Sequence, residues 1–133
     1  MKKILFTLLA LLVFVPVFSQ SKIDDKGVIQ EFTIVQKMPL YDGATNDEDS
    51  NKKLEKFITN RAEAIQVKDK GIVYVSFTVD YEGNVVNIQV LKGVSEKTDE
   101  AALSIISDMK PWTPGMQNGR KAKVRYNIPV IFK

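Results

Sequence analysis

The clearest pattern in the chain is a strict alternation of apolar and polar residues that begins after Gly71. One face of this segment carries Val73, Val75, Phe77 and Val79, and the other carries Tyr74, Ser76 and Thr78. A Gly-containing turn follows at 81–84, and a second alternation then sets Val86, Ile88 and Val90 against Asn87 and Gln89. Two such runs joined by a short turn predict a β-hairpin, whose apolar face other elements must cover.

Two segments with helical periodicity are predicted to cover this face. From about Ser50, apolar residues recur three and four positions apart, at Leu54, Phe57, Ile58, Ala62 and Ile65, and Ser50 or Asn51 is the expected N-cap. A second helix is predicted over 96–109, where Ala102, Ile105, Ile106 and Met109 form the apolar stripe. Ser95 or Thr98 caps its start, and Pro111 ends it.

Further strands are predicted on either side of these elements. Residues 28–36 are rich in β-branched and aromatic residues, whereas residues 42–51 carry turn formers and charge and are expected to form a loop. A link rich in Pro and Gly follows at 111–119, and a last strand is predicted at 123–132. Its inward-facing residues are Val124, Tyr126, Ile128, Val130 and Phe132. The order predicts an α+β fold, a small antiparallel sheet with helices packed on one face.

The N-terminal residues have the composition of an export signal. Lys2 and Lys3 precede an apolar run at 4–18, and a small residue, Ser19, follows it. As a helix the run measures about 22 Å, short of the roughly 30 Å of a bilayer core. We therefore predict a signal peptide at 1–19 that is cleaved, with an uncleaved inner-membrane anchor as the alternative. The mature chain is then exported and comprises a lead strand and acidic loop at 20–50 and a domain at 51–133, without a stable membrane span.

Composition excludes several classes of protein. The 133 residues include neither Cys nor His, so disulfide scaffolds, thiolate or imidazole metal sites and His-dependent triads are ruled out. Loss of the two leader lysines reduces 19 basic residues to 17 against 16 acidic ones, a net charge of about +1. The acid-free tail at 110–133 carries six basic residues, Lys110, Arg120, Lys121, Lys123, Arg125 and Lys133. In an exported protein we interpret it as a solvated strand and turn rather than a nucleic-acid site.

Three groups of residues are candidates for chemistry, and a structural interpretation is favoured for each. Asp80 and Glu82 flank the hairpin turn and are typical turn residues as well as a conceivable acid–base pair. The acidic loop at 47–49 lacks the spacing of an EF-hand calcium site. Trp112 could stack on a sugar, but a buried side chain that anchors the link between the second helix and the last strand is the favoured interpretation. We expect no enzyme, no cofactor and no metal.

The last strand is the remaining candidate, through its backbone. Pro129 cannot donate to a β-ladder, which favours an edge position. With the amide-less side of Pro129 at the open edge, the groups offered there belong to Arg125, Asn127 and Ile131. Such an edge accepts an extended peptide by strand addition, or is merely protected from aggregation by Lys123, Arg125 and Pro129. The residues alone leave these alternatives open.

Several motifs together resemble a known family. They are GIVYVSFTVDYEGNVVNIQVLKGV at 71–94, the helix start TDEAA at 98–102, KPWTPG at 110–115, NGR at 118–120 and YNIPVIF at 126–132. The combination is similar to the C-terminal domain of TonB in its Bacteroidetes-type form. The resemblance is close over 71–133 and extends loosely to MPLYDG at 38–43.

This resemblance implies a domain that receives the extended TonB box of outer-membrane receptors by strand addition. The accepting edge carries over to the last strand, at Lys123, Val124, Arg125, Tyr126, Asn127, Ile128 and Ile131.

The chain departs from the family pattern in several places. Family transducers use an anchored N-terminal helix with a His and a long Pro-rich linker. This chain has no His and about ten residues between its leader and its first strand. The Tyr-Pro that often follows the first helix is replaced by Asn60-Arg61-Ala62. We therefore expect a periplasmic module that binds extended peptides and is associated with TonB-dependent transport. The alternative is an envelope assembly or homodimerisation module that uses the same edge.

Overall fold

The computed structural model describes residues 23–24, 27–28 and 31–133, so the predicted leader lies outside the described residues. Two helices are present there, α1 (Asp47–Ala64) and α2 (Glu96–Ser107). The strands are β1 (Ile23–Asp24), β2 (Gly27–Val28), β3 (Glu31–Phe32), β4 (Leu40–Tyr41), β5 (Gly71–Val79), β6 (Val85–Lys92), β7 (Trp112–Thr113), β8 (Gly115–Gln117) and β9 (Arg120–Phe132).

The main sheet has the order β3-β9-β5-β6, and β8 also pairs with β9. The predicted hairpin β5–β6 and the predicted last strand are confirmed, and β5 and β9 pair antiparallel along nine consecutive residue pairs. However, β3 runs parallel to β9, so the sheet is mixed rather than purely antiparallel as predicted. No tight turn links β3 to β9, which lie about 90 residues apart, and local alternation therefore could not indicate their relative direction.

The predicted strand over 28–36 is only partly correct. Residues 33–36 are not in a strand, and residues 29–30 lie outside the described ranges. Val35 instead turns inward and is buried with Ala122 and Val124 in a small separate cluster. Its burial accounts for the apolar composition that favoured a continuous strand.

Helix α1 begins earlier than predicted. Asn46, rather than Ser50 or Asn51, is the N-cap, and its side-chain oxygen accepts a 2.8 Å hydrogen bond from the Asp49 N–H. The acidic residues at 47–49, predicted to lie in a loop, form the first turn, where they stabilise the positive end of the helix dipole. Ser50 is buried within the helix, and its hydroxyl accepts a 2.8 Å hydrogen bond from the Tyr41 N–H.

Helix α2 matches its prediction more closely. Ser95 is the N-cap, whereas Thr98 lies inside the first turn and donates its hydroxyl to the Asp69 carbonyl over 2.7 Å. The helix ends at Ser107, two residues before the predicted Met109. Pro111 therefore lies beyond the helix end and prevents its continuation.

A bulge in β6 changes which residues face the core. The register with β5 shifts between Ser76 and Thr78, and Asn87 has a positive φ of 52°. Asn tolerates this left-handed conformation better than β-branched residues do. As a result Val85, with Ile88 and Val90, packs against the core, whereas the predicted Val86 pairs opposite Thr78.

The core lies between the sheet and the two helices, as predicted. Its fully buried members include Val73, Val75, Phe77 and Val79 of β5, Val130 of β9, and Ala102, Ile105 and Ile106 of α2. From α1, Ile58 and Ala62 complete it. Trp112 packs between two tyrosines of this core, with its ring centroid 5.2 Å from that of Tyr41 and 5.1 Å from that of Tyr126.

Candidate functional site

The two long edges of β9 have different surroundings. One edge pairs with β5 from Val124 to Phe132. On the other edge, β8 pairs with 120–122 and β3 pairs with Lys123 and Val124. From Arg125 to Phe132 no strand in the described ranges pairs with this second edge. We call this segment the free edge.

The free edge is shorter than the accepting edge predicted from sequence. Lys123 and Val124 are already paired with β3, so β9 is not an edge strand over its first half, and the predicted site is corrected there. The other predicted residues all lie within the free edge, at Arg125, Tyr126, Asn127, Ile128 and Ile131. Sequence reasoning did not predict that β3 occupies this part of the β9 edge, because the two strands are far apart in the chain.

Pro129 indicates which backbone groups face outward. It stands opposite Tyr74 in a β5–β9 ladder that has no register shift. A proline nitrogen directed at β5 would leave an acceptor there without a donor, whereas on the free edge it costs that ladder nothing. Because a strand directs the backbone groups of successive residues to opposite sides, Arg125, Asn127 and Ile131 then present theirs on the free edge.

A groove of about 450 Å³ runs between the free edge and α1. Its residues are Asn51, Leu54, Glu55, Ile58, Thr59 and Glu63 from the helix and Ile128, Pro129, Ile131 and Lys133 from β9 and its end. Sequence reasoning did not find these helix residues, because nothing local places α1 beside β9. Three of the apolar lining residues, Leu54, Ile58 and Ile128, also belong to the core or pack against it.

The opposite face of the sheet is apolar at the same end of β9. Ile131 is 47% exposed, and its register partner Ile72 and the neighbouring Tyr74 are each 40% exposed. Towards the other end of the free edge the same face is polar. There Arg125 Nε donates to the buried Ser76 hydroxyl over 2.8 Å, and the Thr78 hydroxyl donates to the Glu31 carboxylate.

The other candidates for chemistry have structural roles. Asp80 Oδ1 accepts hydrogen bonds from the N–H groups of Glu82 and Asn84 at 2.9 and 2.8 Å, which organises the hairpin turn. Trp112 is 5% exposed, so the prediction of a buried anchor is confirmed. Across the described ranges no cluster of three or more His, Cys, Asp or Glu could hold a metal ion.

The basic residues of the tail are dispersed. The Lys110 ammonium pairs with Asp42 at 3.3 Å, and the Lys123 ammonium lies 5.2 Å from the Tyr81 ring centroid.

Burial raises the pKa of Tyr126 above its ordinary value, and the nearby Asp47 carboxylate raises it further. Burial also raises the pKa of Tyr41, although the Lys110 N–H donated to its hydroxyl opposes that change.

Among the described residues, neither helix is long and apolar enough to cross a bilayer. The fold is that of a small α+β domain whose sheet is open along the free edge. Residues 61–133 match the family model described as Gram-negative bacterial TonB protein C-terminal, and the chain belongs to this family. The resemblance predicted from the motifs is thereby confirmed.

Two solved structures are similar to the chain. Both are NMR solution structures of the Helicobacter pylori TonB C-terminal domain, determined on fragments of different length. One is 24% identical, with a TM-score of 0.48, and the match covers 62% of this chain and 91% of that one. The other is also 24% identical, with a TM-score of 0.43, and covers 69% and 87%. No curated protein sequence matches the chain.

The family defines the general role of the domain. TonB C-terminal domains are non-catalytic and periplasmic, and they serve energy transduction to TonB-dependent outer-membrane receptors. The prediction that this chain is not an enzyme is confirmed by its family.

Proposed function

We propose that the protein accepts an extended segment of a TonB-dependent outer-membrane receptor by addition of a β-strand to the free edge. The observation that carries the proposal is a run of regular strand, Arg125 to Phe132, whose free edge has no described strand paired with it and has a groove beside it. In strand addition the backbone hydrogen bonds supply affinity, and pockets for alternate side chains supply specificity.

The regularity of β9 distinguishes it from the other open edge of the sheet. Strand β6 is terminal in the sheet order, but its register with β5 shifts twice and Asn87 interrupts its extended backbone. Bulges of this kind protect an edge from pairing with another chain. The β9 ladder has no such shift between Val124 and Phe132, which supports β9 as the accepting strand.

The free edge also sets the length of the accepted segment. At about 3.3 Å per residue, the span from Arg125 to Phe132 covers about 25 Å and suits a segment of six to eight residues. Arg125, Asn127 and Ile131 offer both a donor and an acceptor, whereas Pro129 offers only its carbonyl. Because the outward carbonyls belong to alternate residues of β9, every second residue of the segment must supply an N–H to them.

An amide NMR titration with TonB-box peptides tests this proposal. We expect shifts and slowed exchange at Asn127 and Ile131, and no change at Gln89 on the β6 edge. N-methylation of successive peptide residues should weaken binding at alternate positions only. A folded monomer that shows no shift at millimolar peptide would contradict strand addition.

A pair of variants isolates the backbone contribution. Asn127→Pro removes an outward N–H without removing a donor to β5, whereas Asn127→Ala removes the same side chain and keeps the N–H. We expect a loss of tenfold or more in affinity for the proline variant and little change for the alanine variant, with similar melting temperatures. Equal affinities would refute a role for this N–H. Sedimentation at several protein concentrations distinguishes the alternative, self-association through the same edge, which Asn127→Pro would also block.

A further inference from the structure

The wall that α1 contributes to the groove has two stripes of different chemistry. Leu54 and Ile58 form an apolar stripe and line the groove together with Ile128 of β9. The adjacent stripe is polar and repeats every four residues, at Glu55, Thr59 and Glu63. Positions four apart lie on the same side of a helix, so both carboxylates border the groove.

These two carboxylates have no charge partner among the described residues. The ion pairs of α1 there use other carboxylates, those of Glu48, Asp49 and Asp108. The groove itself is lined by one cation, Lys133, and none of the salt bridges among the described residues joins it to Glu55 or Glu63. The groove lining therefore carries an excess of negative charge.

The spacing of the two carboxylates matches the repeat of an extended chain. Glu55 and Glu63 are eight residues apart, which is about 12 Å along a helix. In a strand, residues on one side are about 6.7 Å apart, so positions i and i+4 lie about 13 Å apart. The residue at i+2 then lies level with Thr59, midway between the two carboxylates.

We infer, resting on the proposed function, that the segment accepted by this groove carries cationic side chains at positions i and i+4, both facing α1. The free edge holds the backbone of the segment, and the polar stripe of α1 selects its side chains. Ion pairs at such a partly exposed rim change affinity by about 1.5- to 5-fold each, so two give about 2- to 25-fold.

Three labelled peptides test the inference by fluorescence anisotropy with the intact protein. The host sequence is Thr-Lys-Thr-Val-Thr-Lys-Thr, and the other two peptides replace both lysines by glutamine or by glutamate. We expect affinity to fall in the order lysine, glutamine, glutamate, and the differences to shrink between about 0.05 and 0.5 M salt because ions screen exposed charges.

Variants of the helix assign the preference to the two carboxylates. Glu55→Gln combined with Glu63→Gln should abolish the differences among the peptides, and Glu55→Lys combined with Glu63→Lys should reverse their order. Glu100→Gln, an exposed carboxylate on α2 outside the groove, is the matched control and should keep the original order.

The outcomes separate this inference from the proposal on which it rests. Equal affinities for the three peptides, with binding still lost in Asn127→Pro, would overturn the charge preference and leave strand addition intact. Failure of every peptide to bind would overturn both. A dimer that Asn127→Pro dissociates, and that excludes the peptides, would assign the groove to a second copy of the chain and overturn the inference.

Discussion

Gly83 holds the hairpin turn against the strand that carries Trp112. Its carbonyl accepts a 2.9 Å hydrogen bond from the Trp112 N–H, and its φ is +82°. A Cβ added at this position would lie 1.8 Å from the Trp112 carbonyl oxygen, a backbone atom that no side-chain rotation can move away. Gly83→Ala should therefore displace the turn or β7.

The expected cost has two parts. A left-handed conformation costs an alanine about 1–2 kcal/mol relative to glycine. Separation of the turn from β7 also loses about 0.5–1.5 kcal/mol for the hydrogen bond, which brings the cost to about 1.5–3.5 kcal/mol, and the loss of part of the Trp112 packing adds to it. Gly119 is the matched control, because its φ is +72° and no atom lies within 4 Å of its added Cβ. Gly119→Ala should cost only the conformational part.

Urea unfolding followed by the fluorescence of the single tryptophan measures both variants. With a slope of about 1–3 kcal/mol per molar urea, the Gly83→Ala midpoint should lie about 1 M below that of Gly119→Ala. Equal midpoints would refute the close approach of the turn to β7, and a Gly119→Ala variant as stable as the native protein would refute the conformational cost.

Three other predictions concern helix ends, a buried hydroxyl and alkaline pH. Ser50→Ala leaves the Tyr41 N–H without its acceptor in a buried site and should lower the free energy of unfolding by about 1–3 kcal/mol in urea melts; no loss would contradict that hydrogen bond. Ser95→Ala removes the α2 N-cap and should cost about 1 kcal/mol, whereas Ser107→Ala, at the exposed last residue of the helix, is the control and should cost less. The pKa of Tyr126 is raised by burial, so above about pH 10 the unfolded chain loses this proton first and stability should fall with rising pH, by up to about 1.4 kcal/mol per pH unit. Below pH 10 both states keep the proton and the group has no effect, so Tyr126→Phe should flatten the alkaline decline in pH-dependent urea melts, and an unchanged decline would contradict the raised pKa.

Local patterns predicted most of the fold because they are set by neighbours in the chain. The β5–β6 hairpin, both helices and the buried Trp112 follow from the alternation of apolar and polar residues, from helical periodicity and from the positions of Gly and Pro. The start of α1 was missed because acidic residues before a helical stripe are as typical of a loop as of a first helical turn. The bulge at Asn87 was missed because it moves one residue across the sheet without changing the composition.

The candidate site was predictable only in part for a related reason. Pro129 and the alternation around it indicate an edge strand, and the family motifs point to the same strand. The parallel pairing of β3 at Lys123 and Val124, and the position of α1 beside Ile128, are tertiary contacts between distant segments. No spacing within a single segment encodes them, so the limits and the walls of the groove required the structure.

The unbroken register between β5 and β9 has a mechanical consequence. A segment added to the free edge lies along the axis of β9, so tension on that segment acts parallel to the strands. The nine residue pairs from Gly71–Phe132 to Val79–Val124 then bear the load together in shear, instead of separating one after another as they would under a pull across the sheet. The long ladder behind the free edge thus makes β9 a stiff attachment point against force along its length.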